Sequence, residues 1–265
     1  MLDPIGPAIT SIVRKCGYSI KLEPTRPSQR TKRLTLHHTV TGTYWLPTDA
    51  KGDYFANAII NNQAGDPWLI DIAAKYTQPN TTVVDVGSNF GQMAVLFARI
   101  SGRVHAFEAE PWVYEILEKN IIANPDAGII IPHFGAVWEE EGKTFIFPEV
   151  QFEEGEAPSY GSHGLDLNAI SGREVKSITI DSLDIQEPIS FMKTDVEGCD
   201  LQAMRGARKT IMRNRMPIVF EYAYYLEEKF GMRFQDYIDF VSDINYRFDK
   251  TNGGNNHLIL PEEMV

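Results

Sequence analysis

The apolar positions along the chain follow two periods, namely short β-branched runs and longer stretches with helical spacing. Residues 82–86 form a β-branched run around a single aspartate, which predicts a buried parallel strand. Residues 90–100 then repeat apolar side chains at helical spacing, and residues 103–107 predict a second strand. Strands that alternate with helices are typical of β-α-β units, so the pattern predicts an α/β fold with a mostly parallel sheet.

The same two periods predict the remaining elements. Further core strands are expected at residues 129–136, 189–194 and 216–221. Helices are expected at residues 57–62, 68–76, 111–123, 199–212 and 234–242. Alternation before the core predicts a short hairpin at residues 34–48. Two closing strands are expected at residues 246–250 and 257–260. The glycine-rich residues 252–255 between them are expected to form the turn of an antiparallel hairpin.

The pattern also predicts how the chain is organised. Residues 1–50 are expected to form an N-terminal arm and the short hairpin, with a short helix at 9–14 and a stretch to residue 33 that is rich in Pro, Arg, Lys and Ser. Residues 51–265 are expected to form one domain. Within it, the insertion 139–176 interrupts the helix and strand rhythm and is predicted to form a substrate wall or lid. The acidic run from Glu153 to Glu156 is an exception, because for these residues a solvated surface hairpin is favoured over a role in substrate binding.

Composition and charge narrow the class of protein. A chain of 265 residues with 43% hydrophobic content can bury one sizeable core. The 25 basic and 36 acidic residues give a net charge of −11, which disfavours nucleic acid and anionic membranes as partners. Cys16 and Cys199 form no Cys-x-x-Cys unit, and no apolar run approaches the roughly 20 residues of a membrane span. We therefore expect a soluble, unprocessed protein in a reducing cytoplasm.

The loop after the first strand reads Gly-Ser-Asn-Phe-Gly, from Gly87 to Gly91. Its spacing fits neither the Gly-x-Gly-x-x-Gly dinucleotide fingerprint nor a phosphate-binding loop that ends in Gly-Lys-Ser/Thr. Asp85 would repel a pyrophosphate and attract an ammonium group. Glu108 ends the second strand about 20 residues beyond the first glycine, where an acid accepts the two ribose hydroxyls. A ligand that combines an ammonium group with an adenosine ribose, as S-adenosylmethionine does, fits both acids.

Three stretches carry a resemblance to a known family: residues 84–91, residues 106–111 and, most specifically, Lys193-Thr-Asp195-Val-Glu197-Gly198 with its following helix. They resemble the FkbM family of S-adenosylmethionine-dependent methyltransferases over roughly residues 50–260. The resemblance implies a class I methyltransferase fold, Rossmann-like and doubly wound, with a mostly parallel seven-stranded sheet and an antiparallel C-terminal hairpin. Two positions depart from the family pattern, Ala109 in place of proline and Asp200 in place of glutamate.

The resemblance and the loop chemistry together predict a cofactor site for S-adenosylmethionine. For Asp85 the structural alternative is a strand-end carboxylate that binds the amides of the next loop. Ala136 and its neighbours are expected beside the adenine, with simple core packing as the alternative. The predicted cofactor-binding residues are Asp85, Gly87, Ser88, Asn89, Gly91, Glu108, Ala109, Ala136 and Asp195.

Methyl transfer to a hydroxyl needs an acceptor oxygen held in line, roughly 3 Å from the methyl carbon, and a group that removes its proton. Lys193, Asp195 and Glu197 alternate at a strand end, so they share one face and form a predicted acceptor site, with a structural ion pair as the alternative. His163 and His257 are candidate general bases, although a lone histidine is more often structural. His105 and His133 are expected to form core hydrogen bonds.

A divalent metal ion, Mg²⁺ or Mn²⁺, is a further candidate cofactor of the acceptor site. Glu221 ends the next predicted strand and is expected to complete a metal site with Asp195, or else to cap a helix.

The resemblance to the family implies O-methylation of a sugar or glycan hydroxyl. The expected acceptor belongs to a capsule, a lipopolysaccharide or a glycosylated metabolite. A polyketide or other secondary-metabolite hydroxyl is the second choice. A non-catalytic S-adenosylmethionine-binding module is the alternative of another class, and the glycine spacing disfavours an NAD-dependent reductase. The expected partner is a small molecule or glycan, with no nucleic acid and with a possible homo-oligomer left open.

Overall fold

A computed structural model of the chain describes residues 33–148, 159–250 and 254–264. It begins with the antiparallel hairpin of β1 (Leu34–Thr39) and β2 (Gly42–Pro47). Seven further strands make the central sheet: β3 (Thr81–Val86), β4 (Gly102–Glu108), β5 (Ile129–Phe134), β9 (Ile189–Thr194), β10 (Ile218–Glu221), β11 (Tyr246–Asp249) and β12 (Asn256–Pro261). A small three-stranded sheet contains β6 (Ala136–Val137), β7 (Thr144–Phe147) and β8 (Arg173–Ile178).

The central sheet has the strand order β11-β12-β10-β9-β3-β4-β5. All neighbouring pairs from β10 to β5 are parallel, whereas β12 pairs antiparallel with both β10 and β11. The predicted doubly wound fold, with its mostly parallel seven-stranded sheet and antiparallel C-terminal hairpin, is confirmed. Because the chain winds outward from β3 to β5 and then returns beside β3 as β9, a crevice opens at the carboxyl ends of β3 and β9.

Helices cover the sheet and connect its strands. They are α1 (Tyr54–Ile60), α2 (Pro67–Tyr76), α3 (Gln92–Ser101), α4 (Pro111–Ile122), α5 (Asp200–Arg205), α6 (Arg208–Asn214), α7 (Glu227–Phe230) and α8 (Phe234–Asp243). Short 3-10 helices span Ala50–Gly52, Asp181–Leu183 and Tyr224–Leu226.

Strand β3 is buried on both of its faces. Val83 joins a core cluster with Phe97, Val104 and Phe191, whereas Val84 joins a second cluster with Met192 and Phe220. This two-sided burial explains why β3 reads as an almost continuous apolar run in the sequence.

The N-terminal hairpin is fixed to the domain by side-chain amides of helix α4 and the residues after it. Asn120 accepts a hydrogen bond from the amide of Trp45 at 2.6 Å and donates to its carbonyl at 3.1 Å. Asn124 makes the same kind of pair with the backbone of Thr43. Division of the chain near residue 50 stays a prediction, and the expected features at 9–14, 153–156 and 251–253 lie outside the described residues.

The structure differs from the sequence prediction at two breaks. The strand expected at 129–136 ends at Phe134, and Ala136 and Val137 pair instead with β8, a strand that the sequence analysis did not predict. The helix expected at 199–212 is divided into α5 and α6 around Gly206. There the carbonyl oxygen of Trp138 lies only 1.9 Å from the position that a Cβ atom would occupy, so the chain passes too closely for a side chain.

Candidate functional site

A cleft with about 890 Å³ of space opens at the carboxyl ends of β3, β4 and β9. Seven of the predicted cofactor-binding residues line it, namely Gly87, Ser88, Asn89, Glu108, Ala109, Ala136 and Asp195. Lys193 and Glu197 of the predicted acceptor site line it as well, and so does the candidate general base His163.

The glycine loop has little room for side chains. Gly87 has φ +79°, and a Cβ atom there would lie 1.9 Å from the backbone oxygen of Asp195. Gly91 has φ +86° and precedes helix α3, but it packs toward Leu117 and is not among the residues that line the cleft. Asn89 adopts the left-handed conformation, φ +49°, and its side-chain oxygen is buried with no hydrogen-bond partner in the described structure. The loop therefore contains a buried polar atom without a partner among the described residues, in a residue that lines the cleft.

Glu108 is held in place by backbone amides. Its carboxylate accepts hydrogen bonds from the amides of Asn89 at 2.9 Å, Ala109 at 2.9 Å and Glu110 at 2.8 Å. Burial raises the pKa of Glu108 to about 7, against the lowering effect of the amides. A carboxylate fixed in this way at the end of β4 is oriented to accept hydrogen bonds from two adjacent hydroxyls.

Asp85 lies behind the cleft rather than in its lining, because its side chain is fully buried. Its carboxylate pairs with the ammonium group of Lys193 at 3.4 Å, and Lys193 also donates to the carbonyl of Gly87 at 2.7 Å. Burial raises the pKa of Asp85, against the attraction of Lys193. For Lys193, burial acts to lower the pKa, but the carboxylates of Asp85 and Asp195 raise it on balance. Because they are paired with each other, Asp85 and Lys193 are suited to hold β3, β9 and the glycine loop in position.

Three carboxylates converge beside the cleft, two of which, Asp195 and Glu197, line it, whereas Glu221 is not among the lining residues. Oxygen atoms of Asp195, Glu197 and Glu221 all lie within 4.8 Å of one another. Burial, followed by repulsion from Asp195 and Glu221, raises the pKa of Glu197 to about 8. Burial and Asp195 similarly raise the pKa of Glu221 to about 7. Sequence reasoning paired Asp195 with Glu221, and the structure adds Glu197 to them. Such a cluster holds protons near neutral pH, or a cation that replaces them.

The position of Glu197 depends on a tight turn. Glu197 has φ +54° and Gly198 has φ +94°, so two consecutive residues are left-handed. Asp200 is fully buried beneath this turn, accepting hydrogen bonds from the hydroxyl of Thr194 at 3.0 Å and the amide of Glu221 at 3.4 Å. Asp200, a departure from the family pattern, therefore links the ends of β9 and β10.

The candidate general bases occupy different environments. His163 lines the cleft, and its Nδ1 atom lies 3.2 Å from the carbonyl oxygen of Ser159. His257 lies on β12 with its ring stacked on Phe220, 5.3 Å between centroids, and it is not among the cleft-lining residues. The structure thus brings His163, but not His257, to the cleft. His105 and His133 hydrogen-bond to each other at 2.9 Å, as expected of core histidines.

Part of the insertion lines the cleft, and its role as a substrate wall or lid stays a prediction. Residues 160, 161 and 163–165 contribute to its lining, and one oxygen of the buried Asp53 carboxylate accepts hydrogen bonds from the amides of Tyr160 at 2.7 Å and Gly161 at 2.9 Å. The other oxygen caps helix α1 at the amide of Ala56. Sequence reasoning missed Asp53: an aspartate before a helix indicates a cap, but no local signal indicates a partner more than 100 residues away.

Comparisons with solved structures find methyltransferases of low sequence identity to this chain. An FkbM methyltransferase from Methylobacillus flagellatus KT is 15% identical with a TM-score of 0.45, over 72% of this chain and 50% of that protein. The chain therefore spans half the length of that relative. Trm5b from Pyrococcus abyssi is 13% identical with a TM-score of 0.46, over 90% and 60% of the two chains. The Pyrococcus abyssi tRNA (uracil-54, C5)-methyltransferase, in complex with S-adenosyl-L-homocysteine, is 11% identical with a TM-score of 0.45, over 86% and 43%.

Within the described ranges, no helix combines the length and apolar character needed to cross a bilayer.

The family assignment comes from the sequence. Among curated proteins, none matches this chain. The family model of the FkbM methyltransferase domain matches residues 85–248, which is more than half of the chain and contains the glycine loop, Glu108 and the carboxylate cluster. The chain belongs to the FkbM methyltransferase domain family.

Proposed function

We propose that this protein is an S-adenosylmethionine-dependent O-methyltransferase that acts on a hydroxyl group of a sugar or glycan. The observation that carries the proposal is the arrangement of one cleft, which is lined by Glu108 and the glycine loop and also by Asp195 and Glu197, with Glu221 beside these two carboxylates. Family membership supports the reaction class. The three carboxylates support an acceptor with exchangeable protons.

The cofactor would be held by the residues that the loop and β4 already orient. Glu108 would accept hydrogen bonds from the two ribose hydroxyls, and the unpartnered side-chain oxygen of Asn89 would accept one more. Ala136 would border the adenine, because it lines the cleft directly after β5. When bound, S-adenosylmethionine supplies a methyl group that is already activated toward nucleophiles.

The remaining chemistry is to hold an acceptor hydroxyl and remove its proton. Glu197 and Glu221 have pKa values near 8 and 7, close to the working pH at which a carboxylate is an effective general base. One of these carboxylates would accept the proton of the acceptor hydroxyl. Asp195, at the junction of the two groups, would orient the hydroxyl, and the Lys193 clamp would keep β9 in register with the glycine loop. His163 is a second candidate base, since it shares the cleft.

A divalent cation is the other occupant that this cluster suits. Mg²⁺ and Mn²⁺ prefer oxygen ligands, and Asp195, Glu197 and Glu221 each offer one carboxylate oxygen within a small radius. Such an ion would lower the pKa of a bound hydroxyl. Dependence of methyl transfer on added metal, after treatment with a chelator, separates this use of the cluster from general-base catalysis.

The sugar or glycan acceptor is the most specific part of the proposal. A secondary-metabolite hydroxyl remains the second choice, and a non-catalytic binding module is disfavoured because the acceptor-side carboxylates are present. Nucleic acid stays excluded as a prediction, on the net charge of −11. A reducing cytoplasm also stays a prediction, and the oligomeric state stays open.

The test is transfer of a labelled methyl group from S-adenosylmethionine to a panel of methyl glycosides, with the product position assigned by NMR. We expect O-methylated product from the wild type and a loss of at least about 100-fold in Glu197→Gln, as for removal of a general base. Glu228→Gln is the matched control, because Glu228 is exposed on α7. Activity unchanged by Glu197→Gln, or product methylated at nitrogen or carbon, would contradict the proposal.

A further inference from the structure

One wall of the cleft contains an aromatic side chain that the proposed chemistry does not use. Phe55 lies on helix α1, is half-buried and lines the cleft. The neighbouring Tyr54 is 62% exposed and is not among the lining residues, although the two rings meet edge to face at 5.3 Å between centroids. Of these two adjacent rings, Phe55 is therefore the one that a ligand in the cleft can contact.

The Phe55 ring is held between two glycines. A Cβ atom at Gly65 would lie 2.4 Å from Cδ1 of Phe55, and one at Gly161 would lie 3.3 Å from Cδ2. The two sides of the ring thus pack against backbone without side chains. The turn at Gly65 is itself fixed by the buried side chain of Gln92, which accepts a hydrogen bond from the Gly65 amide at 2.9 Å and donates to the Gln63 carbonyl at 2.8 Å. The ring is therefore positioned before any ligand binds.

The segment that contains Gly161 also contacts the acceptor side of the cleft. A Cβ atom at Gly164 would lie 2.6 Å from Cβ of Glu197, so the chain passes directly against that residue. Gly161 and Gly164 are three residues apart, which limits the distance between their Cα atoms to about 11 Å even in an extended chain. Phe55 at one end of this segment and Glu197 at the other therefore lie within reach of one small ligand. His163, which belongs to the same segment, lines the cleft with them.

The two ends of this segment differ in chemistry. Phe55 offers an apolar ring, and Ile59, one helical turn later on α1, adds apolar surface to the lining. His163 and Glu197 offer groups that form hydrogen bonds. A sugar ring has the same two sides, because C–H groups cover its faces and hydroxyl groups lie around its edge. When such a face lies on an aromatic ring, apolar surface of both partners is removed from water.

We propose that Phe55 determines acceptor specificity: the sugar ring of the acceptor lies with a C–H face against the Phe55 ring and turns its hydroxyl edge toward Glu197. This role rests on the proposed function and adds a specificity-determining residue to it. The contact is made away from the reacting atoms, so it stabilises the bound acceptor and the transition state equally. Its loss is therefore expected to raise the KM for the acceptor rather than to lower kcat.

Steady-state methyl transfer to methyl glycosides tests the proposal. The panel contains the methyl glycosides of glucose, galactose, mannose, rhamnose, N-acetylglucosamine and glucuronic acid, and kinetics are measured with the one that gives the most product. Phe55→Ala is expected to raise the KM for that glycoside about tenfold and to lower kcat less than about threefold, as loss of one aromatic contact gives. Phe55→Leu, which keeps an apolar side chain but no flat ring, should raise KM at least about threefold. Binding of S-adenosylhomocysteine, measured by calorimetry, should stay the same in both variants.

Matched variants separate contact with the ring from a general loosening of helix α1. Phe55→Tyr keeps the face of the ring and should restore most of the lost KM effect. Tyr54→Ala is the control, because it removes the adjacent exposed ring and its 2.6 Å hydrogen bond to the Gly65 carbonyl without removing a residue of the lining. Gly65→Ala keeps Phe55 but displaces its ring, so it should raise KM although no aromatic group is lost. Thermal unfolding checks that each variant is folded.

Three results would overturn the proposal. One is an unchanged KM in Phe55→Ala and Phe55→Leu, another is an equal rise of KM in Tyr54→Ala and Phe55→Ala, and the third is a loss of S-adenosylhomocysteine binding in Phe55→Ala, which would assign the ring to the cofactor. The wild type distinguishes the two levels. If it binds S-adenosylhomocysteine and methylates a glycoside whose KM is independent of Phe55, the specificity proposal alone is wrong. If it does not bind S-adenosylhomocysteine, or methylates no member of the panel, the proposed function is wrong and the specificity proposal falls with it.

Discussion

The ammonium group of Lys193 lies 3.4 Å from the carboxylate of Asp85 and 2.7 Å from the carbonyl oxygen of Gly87. A side chain from β9 thereby holds the strand and the loop that begin the cofactor end of the cleft. Both ionic groups are almost entirely buried, at 5% and 0% exposure, so each depends on the other for compensation.

Replacing only the lysine should therefore be costly. We expect Lys193→Met to lower the free energy of unfolding by about 3–5 kcal/mol, because it leaves the Asp85 charge buried without its partner. The double variant Lys193→Met with Asp85→Asn should recover part of that loss. Urea unfolding of the wild type, Lys193→Met, Asp85→Asn and the double variant measures both effects, and equal losses in Lys193→Met and the double variant would show that the pair is not coupled.

The close approach of β3 and β9 makes a sharp prediction for Gly87. Gly87 and Gly142 both have φ +79°, but a Cβ atom at Gly87 would lie 1.9 Å from the Asp195 oxygen, whereas nothing lies within 4 Å at Gly142. Gly142→Ala should cost about 1–2 kcal/mol for backbone strain alone. Gly87→Ala should cost more and abolish binding of S-adenosylhomocysteine. Similar thermal unfolding and binding for the two variants would contradict the account of the loop.

Asp53 connects helix α1 to the segment of the insertion that lines the cleft. Asp53→Ala removes a helix cap and two hydrogen bonds to the amides of Tyr160 and Gly161, so we expect a loss of about 2–4 kcal/mol in unfolding free energy. Amide hydrogen exchange should become faster in residues 159–165. Asp71→Ala is the control, because Asp71 is exposed on α2. Unchanged exchange in that segment would show that Asp53 does not anchor it.

The raised pKa values in the carboxylate cluster set the direction of a pH effect. Folding raises the pKa of Glu197 from its ordinary 4.5 to about 8, so the folded state binds this proton more tightly than the unfolded chain. Its contribution to stability is fully present below about pH 4.5 and declines as the pH rises toward 8.

The free energy of unfolding should therefore fall between about pH 5 and 8, with Glu221, Asp200 and Glu108 contributing in the same direction. In Glu197→Gln the decline should be smaller by on the order of 1–2 kcal/mol, after allowance for solvent screening. Urea unfolding across this pH range is the measurement. An identical slope in the wild type and the variant would mean that Glu197 titrates normally.

The elements that could be predicted from the sequence are those that depend on neighbouring residues in the chain. The strands around Asp85 and Glu108 were predictable because β-branched runs and glycine spacing are local properties. Strand β8 was not predictable, because it pairs with residues 136–137 across the insertion. The break at Gly206 was not predictable either, because it results from the close approach of the Trp138 backbone. Convergence of Asp195 and Glu221 followed from adjacent strand ends. The inward position of Glu197 depends on a left-handed turn that no periodicity reveals.

The most direct test of the central claim is calorimetric titration of the protein with S-adenosylhomocysteine, with NAD as the control ligand. The cofactor site described above predicts micromolar binding of the homocysteine ligand and none of NAD. It further predicts that Glu108→Ala weakens binding by about 10- to 100-fold, as for loss of hydrogen bonds to a charged group, while the exposed Glu115→Ala on α4 leaves binding unchanged. Absence of binding to the folded wild type, or equal binding by Glu108→Ala and Glu115→Ala, would contradict it.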